Sequence, residues 1–178
     1  MRILIAGVLG GIAMYIWSAV AHVVTPLGMT GVDTMPNEAA VTAAMQTSLG
    51  DRAGLYLFPA AAMTTPNLPG PSGLLVYQNR ANDMTPVTLA QEAAVQIVEG
   101  VLAAFLLSLT VLAGYVMRAG FVALVGVVAV LASNPSLWIW YKFPAEFTLA
   151  AMFMDVVGYL IAGLVIAAVL KPRAAAAP

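Results

Sequence analysis

Residues 3–32, 119–141 and 156–170 contain no Asp, Glu, Lys or Arg. A helix needs about 20 mostly apolar residues to cross the hydrocarbon core of a bilayer. Uncharged runs of this length, in a chain of 178 residues, point to several crossings within one small domain. Composition agrees, because 62% of the residues are apolar and 8% are charged. Soluble domains average about 45–50% apolar and about 25% charged. The chain therefore reads as an all-α membrane protein.

The charge balance excludes other classes. Seven basic residues stand against eight acidic ones with no basic patch, so a nucleic-acid partner is not expected. Cysteine is absent, which removes disulfides, thiolate metal sites and cysteine nucleophiles. Arg2 ahead of an apolar run, with Ala19-Val20-Ala21 near its end, imitates a secretion signal. The run from 3 to 24 exceeds a usual signal core, so a retained helix is expected.

Four spans follow, in a single membrane domain over 1–173: helices at about 3–24, 86–117, 119–133 and 147–170, with a flexible tail at 174–178. Thr85 suits an N-cap and Pro86 the first helical position. The second helix is therefore read as continuous to 117, roughly 48 Å long at 1.5 Å per residue. Its first turns would stand outside the membrane and support a cap. Asn134-Pro135 should break or kink the third helix: either it resumes through 136–141 after a kink, or, the favoured expectation, 134–144 forms an aromatic-rich interfacial turn.

Orientation comes from the basic residues. With the N-terminus inside, Arg2, Arg118, Lys171 and Arg173 fall on the cytoplasmic side, unaccompanied by acids. The positive-inside rule then places both termini in the cytoplasm and 25–85 outside, in a bacterial inner membrane. Trp17, Trp138 and Trp140 fall near the outer interface, which suits their amphipathic rings.

The insertion at 25–85 differs from the spans in being rich in Pro, Gly, Asn and Thr, and it is too long for a connector. A short helix is expected over 37–49 with Pro36 in its first turn, followed by an irregular hairpin of strands at 54–63 and 73–79. Together they would form a small extracytoplasmic cap.

Polar residues enter three of the spans at helical spacing. Thr85, Thr88, Glu92, Gln96 and Glu99 share one face of the second helix, which continues as Ala103, Thr110 and Gly114. On the first helix Gly7, Gly11, Tyr15, Ser18 and His22 share a face, and Gly7 with Gly11 forms a GxxxG pair. On the fourth, Thr148, Ala151, Asp155, Gly158, Ala162 and Gly163 do the same, and Tyr15 or Tyr159 could hydrogen-bond the acid. Turning these stripes inward would hide every intramembrane ionisable group. Gly7, Gly11, Gly114 and Gly158 are expected to serve helix packing. His22, Glu92, Gln96, Glu99, Asp155 and Tyr159 form the candidate polar cluster. Glu99 would lie roughly 9 Å and Asp155 roughly 12 Å below the outer ends of their spans.

An intramembrane acid is by default a functional-site hypothesis. The competing reading is a neutral or hydrogen-bonded acid that ties helices together. For His22, the only histidine, the alternatives are an interfacial hydrogen bond, proton transfer, or ligation of a metal or tetrapyrrole. Met29, Met35, Met45, Met63 and Met84 have no metal-binding spacing and read as packing. No metal and no cofactor is expected.

His22-Val-Val-Thr-Pro26-Leu-Gly28, Met35-Pro-Asn-Glu38, Gly54-Leu-Tyr-Leu-Phe-Pro59 and Trp140-Tyr-Lys-Phe-Pro144 ahead of the Asp155 helix resemble a group of small, uncharacterised bacterial inner-membrane proteins. The resemblance spans nearly the whole chain. It implies one membrane domain with an outer cap and assigns no catalytic residue.

Three functions compete at this stage. The favoured expectation is a non-enzymatic accessory or scaffold protein in contact with the lipid bilayer, whose partner is a membrane protein complex or another copy of the chain. The second is binding or transport of a lipid, quinone or similar apolar molecule where His22, Glu92, Glu99 and Asp155 converge. The third is a small membrane enzyme with a carboxylate and His22 as acid and base. A wide cavity between the polar stripes would favour the second, and dry packing the first.

Overall fold

The computed structural model describes residues 1–65, 67–80 and 84–172. The tail expected at 174–178 lies outside them. The elements are α1 (Arg2–Val23), a 3₁₀ turn (Pro26–Met29), α2 (Glu38–Leu49), β1 (Gly54–Phe58), a second 3₁₀ turn (Ala60–Met63), β2 (Gly73–Tyr77), α3 (Pro86–Ser108), α4 (Tyr115–Tyr141) and α5 (Ala145–Val169). The protein is mostly helical, and α1, α3, α4 and α5 are long and apolar enough to cross a membrane.

The largest departure from expectation is the end of α3. The helix starts at Pro86 as expected, with Thr85 Oγ1 accepting from the Thr88 N–H at 3.2 Å. It stops at Ser108 and not at 117. Ser108 Oγ donates to Phe105 O at 2.6 Å and Thr110 Oγ1 to Leu107 O at 2.8 Å. The N–H groups of Leu109 and Thr110 tighten to i−3 carbonyls, both at 3.1 Å. Such side-chain bonds compete with the helical ladder, and 109–114 becomes the connector. Gly114, expected to pack on the second helix, is instead the N-cap of α4. A Cβ added there would meet nothing closer than Met117 Cγ at 3.8 Å.

The third span is corrected in the opposite direction, because α4 begins before Arg118 and runs unbroken through Asn134-Pro135. Proline removes one backbone bond, here to Leu131 O. Ending the helix there would forfeit several. α4 ends where Lys142 turns left-handed, at φ 58°, and the N–H groups of Lys142 and Phe143 both reach Leu137 O. Of the aromatic residues expected in an interfacial turn, Trp138, Trp140 and Tyr141 therefore occupy the last turns of this helix, and Phe143 follows its cap.

The segment between α1 and α3 has the expected parts with shorter bounds. Asn37, left-handed at φ 55°, caps α2, so Pro36 precedes that helix and does not open it. β1 and β2 are antiparallel, with Gly54 opposite Tyr77 and Phe58 opposite Gly73. The first strand stops before Pro59 and the chain enters a 3₁₀ turn. The Tyr77 hydroxyl lies 2.8 Å from Gly50 O and 3.0 Å from Gln46 Oε1, which joins the hairpin to α2. The support expected from the first turns of α3 is not found: among the described residues neither α2 nor the hairpin packs extensively on that helix. The turn Pro26–Met29, which leads from α1 into this segment, packs on α1 and α5.

The long helices pack in the order α3, α1, α5, α4, while α3 and α4 touch each other little. Their buried core includes Ala6, Ala103, Ala104, Leu107, Val122, Ala162, Ile166 and Leu170. Most of these residues lie toward the start of α1 and α4 and the end of α3 and α5, so one end of the assembly is dry. On the same side α1 and α3 meet backbone to backbone. A Cβ on Gly11 would fall 2.5 Å from Ile97 Cα, and one on Gly7 would collide with Val101 Cα.

Candidate functional site

Above the dry end the four long helices enclose a cavity of about 180 Å³. α1 contributes Met14, Trp17, Ser18 and His22; α3 contributes Glu92, Val95, Gln96 and Glu99. α5 contributes Met154, Asp155, Gly158 and Tyr159. All six residues of the cluster expected from sequence thus line one cavity. The expectation that packing hides every ionisable group fails: Glu92, Asp155 and His22 are exposed, Glu99 and Tyr159 half-buried. The physical reason is that α3 and α4 do not close on each other, which leaves a groove.

The end of α3 also changes the depth of the site. Measured from Pro86, Glu99 lies roughly 20 Å along a helix of roughly 34 Å, and Asp155 lies roughly 15 Å along α5. Both sit near the middle of their helices.

Fixed hydrogen bonds define what each group offers. Trp17 Nε1 donates to Met154 O at 2.8 Å and ties α1 to α5 beside the cavity. His22 Nδ1 lies 2.9 Å from Ser18 O. A carbonyl only accepts, so this contact assigns a proton to Nδ1. Gln96 Nε2 donates to Glu92 Oε1 at 2.7 Å, one helical turn away. That bond orients the amide and leaves Gln96 Oε1 buried without a hydrogen-bond partner.

α4 supplies groove residues that sequence reasoning missed: Ala129, Val130 and Ser133. Their signal was the polar pair Ser133-Asn134 in an otherwise apolar run, which was read as a helix end. Ser133 Oγ donates to Ala129 O at 3.0 Å and receives Asn134 Nδ2 at 3.2 Å. Among the described residues no group of three or more His, Asp or Glu side chains is arranged to hold a metal ion.

No family model, curated protein or solved structure matches the chain.

Proposed function

We propose that the groove binds an amphipathic molecule resident in the membrane, with its polar head among Glu92, Gln96, Glu99 and Asp155 and its tail in the gap between α3 and α4. The observation that carries this reading is a polar cavity at mid-helix depth, walled by all four long helices and open on one side. At about 180 Å³ the cavity is smaller than the roughly 300–1,000 Å³ of pockets that engulf whole ligands. It suits a head group.

In this reading the chain lies in a bacterial inner membrane with both termini cytoplasmic, and the groove belongs to the middle and outer leaflet. The basic residues Arg2, Arg118 and Lys171, all near the dry end, support that orientation.

Native mass spectrometry of protein extracted with its lipids tests the proposal. A stoichiometric adduct is expected, and it should disappear in Ser133→Trp, which adds an indole to the α4 wall of the cavity. An adduct unaffected by that change, or none at all, refutes it. A second reading, an accessory subunit, draws on the hairpin, where Leu55 and Val76 are 65% and 68% exposed. Recovery of a membrane protein stoichiometric with the chain, in place of a small molecule, would favour it.

A further inference from the structure

Resting on the proposed binding function, we infer that the head group held in the groove is an alkylammonium carrying N–H donors. The inference follows from which polar atoms are already used. Three donors bordering the groove are already engaged: the Trp17 indole with Met154 O, the Ser133 hydroxyl with Ala129 O, and one Gln96 amide N–H with Glu92. One buried acceptor is not. Gln96 is 8% exposed and its Oε1 has no partner.

The charge pattern points the same way. Glu92, Glu99 and Asp155 line the groove without Lys or Arg among them, and His22 is the single basic side chain there. Carboxylates held in a membrane helix bundle require a positive partner or a proton. An ammonium supplies both the charge and the N–H that Gln96 Oε1 lacks.

Other head groups fit less well. A quinone offers only carbonyl acceptors, and an alcohol has one proton and no charge. A trimethylammonium group has the charge but no N–H, so it leaves the buried Gln96 carbonyl unpaired. The tail would leave beside Val95, which lines the groove and is 54% exposed.

The test uses the full chain in phosphatidylcholine nanodiscs with Trp138 and Trp140 changed to Phe, so that Trp17 reports binding by fluorescence. Dodecylammonium is expected to bind at least tenfold more tightly than dodecyltrimethylammonium, dodecanol or a decyl quinone. Gln96→Leu should bring the two cations to about equal affinity, whereas Gln96→Glu, which restores an acceptor, should recover the preference. A purely structural Gln96 would not distinguish these variants. Equal binding of both cations by the unaltered protein overturns the inference. Tighter binding of dodecanol or the quinone overturns it too and leaves the groove as a binding site. Binding of no probe removes both. Where the ammonium preference is found, phosphatidylethanolamine in the nanodisc competes if the natural amine is a lipid head group. Absence of competition assigns it to a free amphipathic amine, and either source supports the inference.

Discussion

Arg118 Nη1 donates to Ala167 O at 3.1 Å, and its Nη2 to Leu170 O, so the first turn of α4 clamps the last turn of α5. The last carbonyls of a helix have no intrahelical partner, and a cation there also complements the helix dipole. The side chain is 4% exposed.

Removing this guanidinium should therefore orphan buried carbonyls. Arg118→Met, which keeps the apolar stem, is expected to lower stability by about 1–3 kcal/mol. Arg118→Lys should recover part of that, because one ammonium cannot reproduce the fork. Denaturant unfolding in micelles reads the difference. Equal stability of all three proteins would mean that the clamp contributes nothing.

The seam between α1 and α3 makes a second expectation. A Cβ on Gly100 would lie 2.6 Å from Gly11 N, whereas one on Gly120 would meet nothing within 4 Å. Backbone cannot yield as a side chain does, so Gly100→Ala and Gly11→Ala should each cost about 1–3 kcal/mol. Gly120→Ala should be neutral or slightly stabilising, since alanine favours the helix. Unfolding midpoints that rank these variants otherwise would contradict the close approach.

Helix number and the inward polar faces were legible because hydropathy and 3.6-residue spacing report on side chains. Helix ends were not, because they depend on backbone hydrogen bonding. Val111, Leu112 and Ala113 look like more helix by composition, yet Ser108 and Thr110 bond back to the carbonyls and end α3 before them. Pro135 errs the other way: a residue that breaks helices in water stays inside α4. Arg118 was legible as a basic residue near a helix end, but its partners are some fifty positions away and no spacing reveals them. The groove itself depended on which helices fail to meet, and a face pattern specifies no neighbour.

Topology can be tested independently of the ligand. With both termini cytoplasmic, single cysteines at Ser72 and Lys171 should label from opposite sides of the membrane. An impermeant maleimide applied to intact cells is expected to modify the first and spare the second until the cells are broken. Labelling of Lys171→Cys alone would invert the orientation, and labelling of both would show that it is mixed.

Asp155 decides whether the acids of the groove are ties between helices or parts of a binding site. It lines the groove, is exposed to it, and has its one basic neighbour in His22 on α1. Asn134 on α4 also faces this carboxylate, and an amide at 155 can keep that polar contact; substitutions at exposed positions usually change stability by less than about 0.5 kcal/mol. Asp155→Asn should therefore unfold like the unaltered protein, and Asp155→Leu, which removes the cost of holding a charge near mid-helix, should be no less stable. Binding should respond differently. Loss of one of three carboxylates is expected to weaken dodecylammonium by about tenfold, which corresponds to about 1.4 kcal/mol. The neutral dodecanol should be unaffected in both variants. If Asp155→Asn instead lowers stability as much as it lowers affinity, the carboxylate is a structural tie whose loss deforms the groove. If ammonium affinity is unchanged while the fold survives, the head group must lie nearer Glu92 and Gln96, one side of the groove alone.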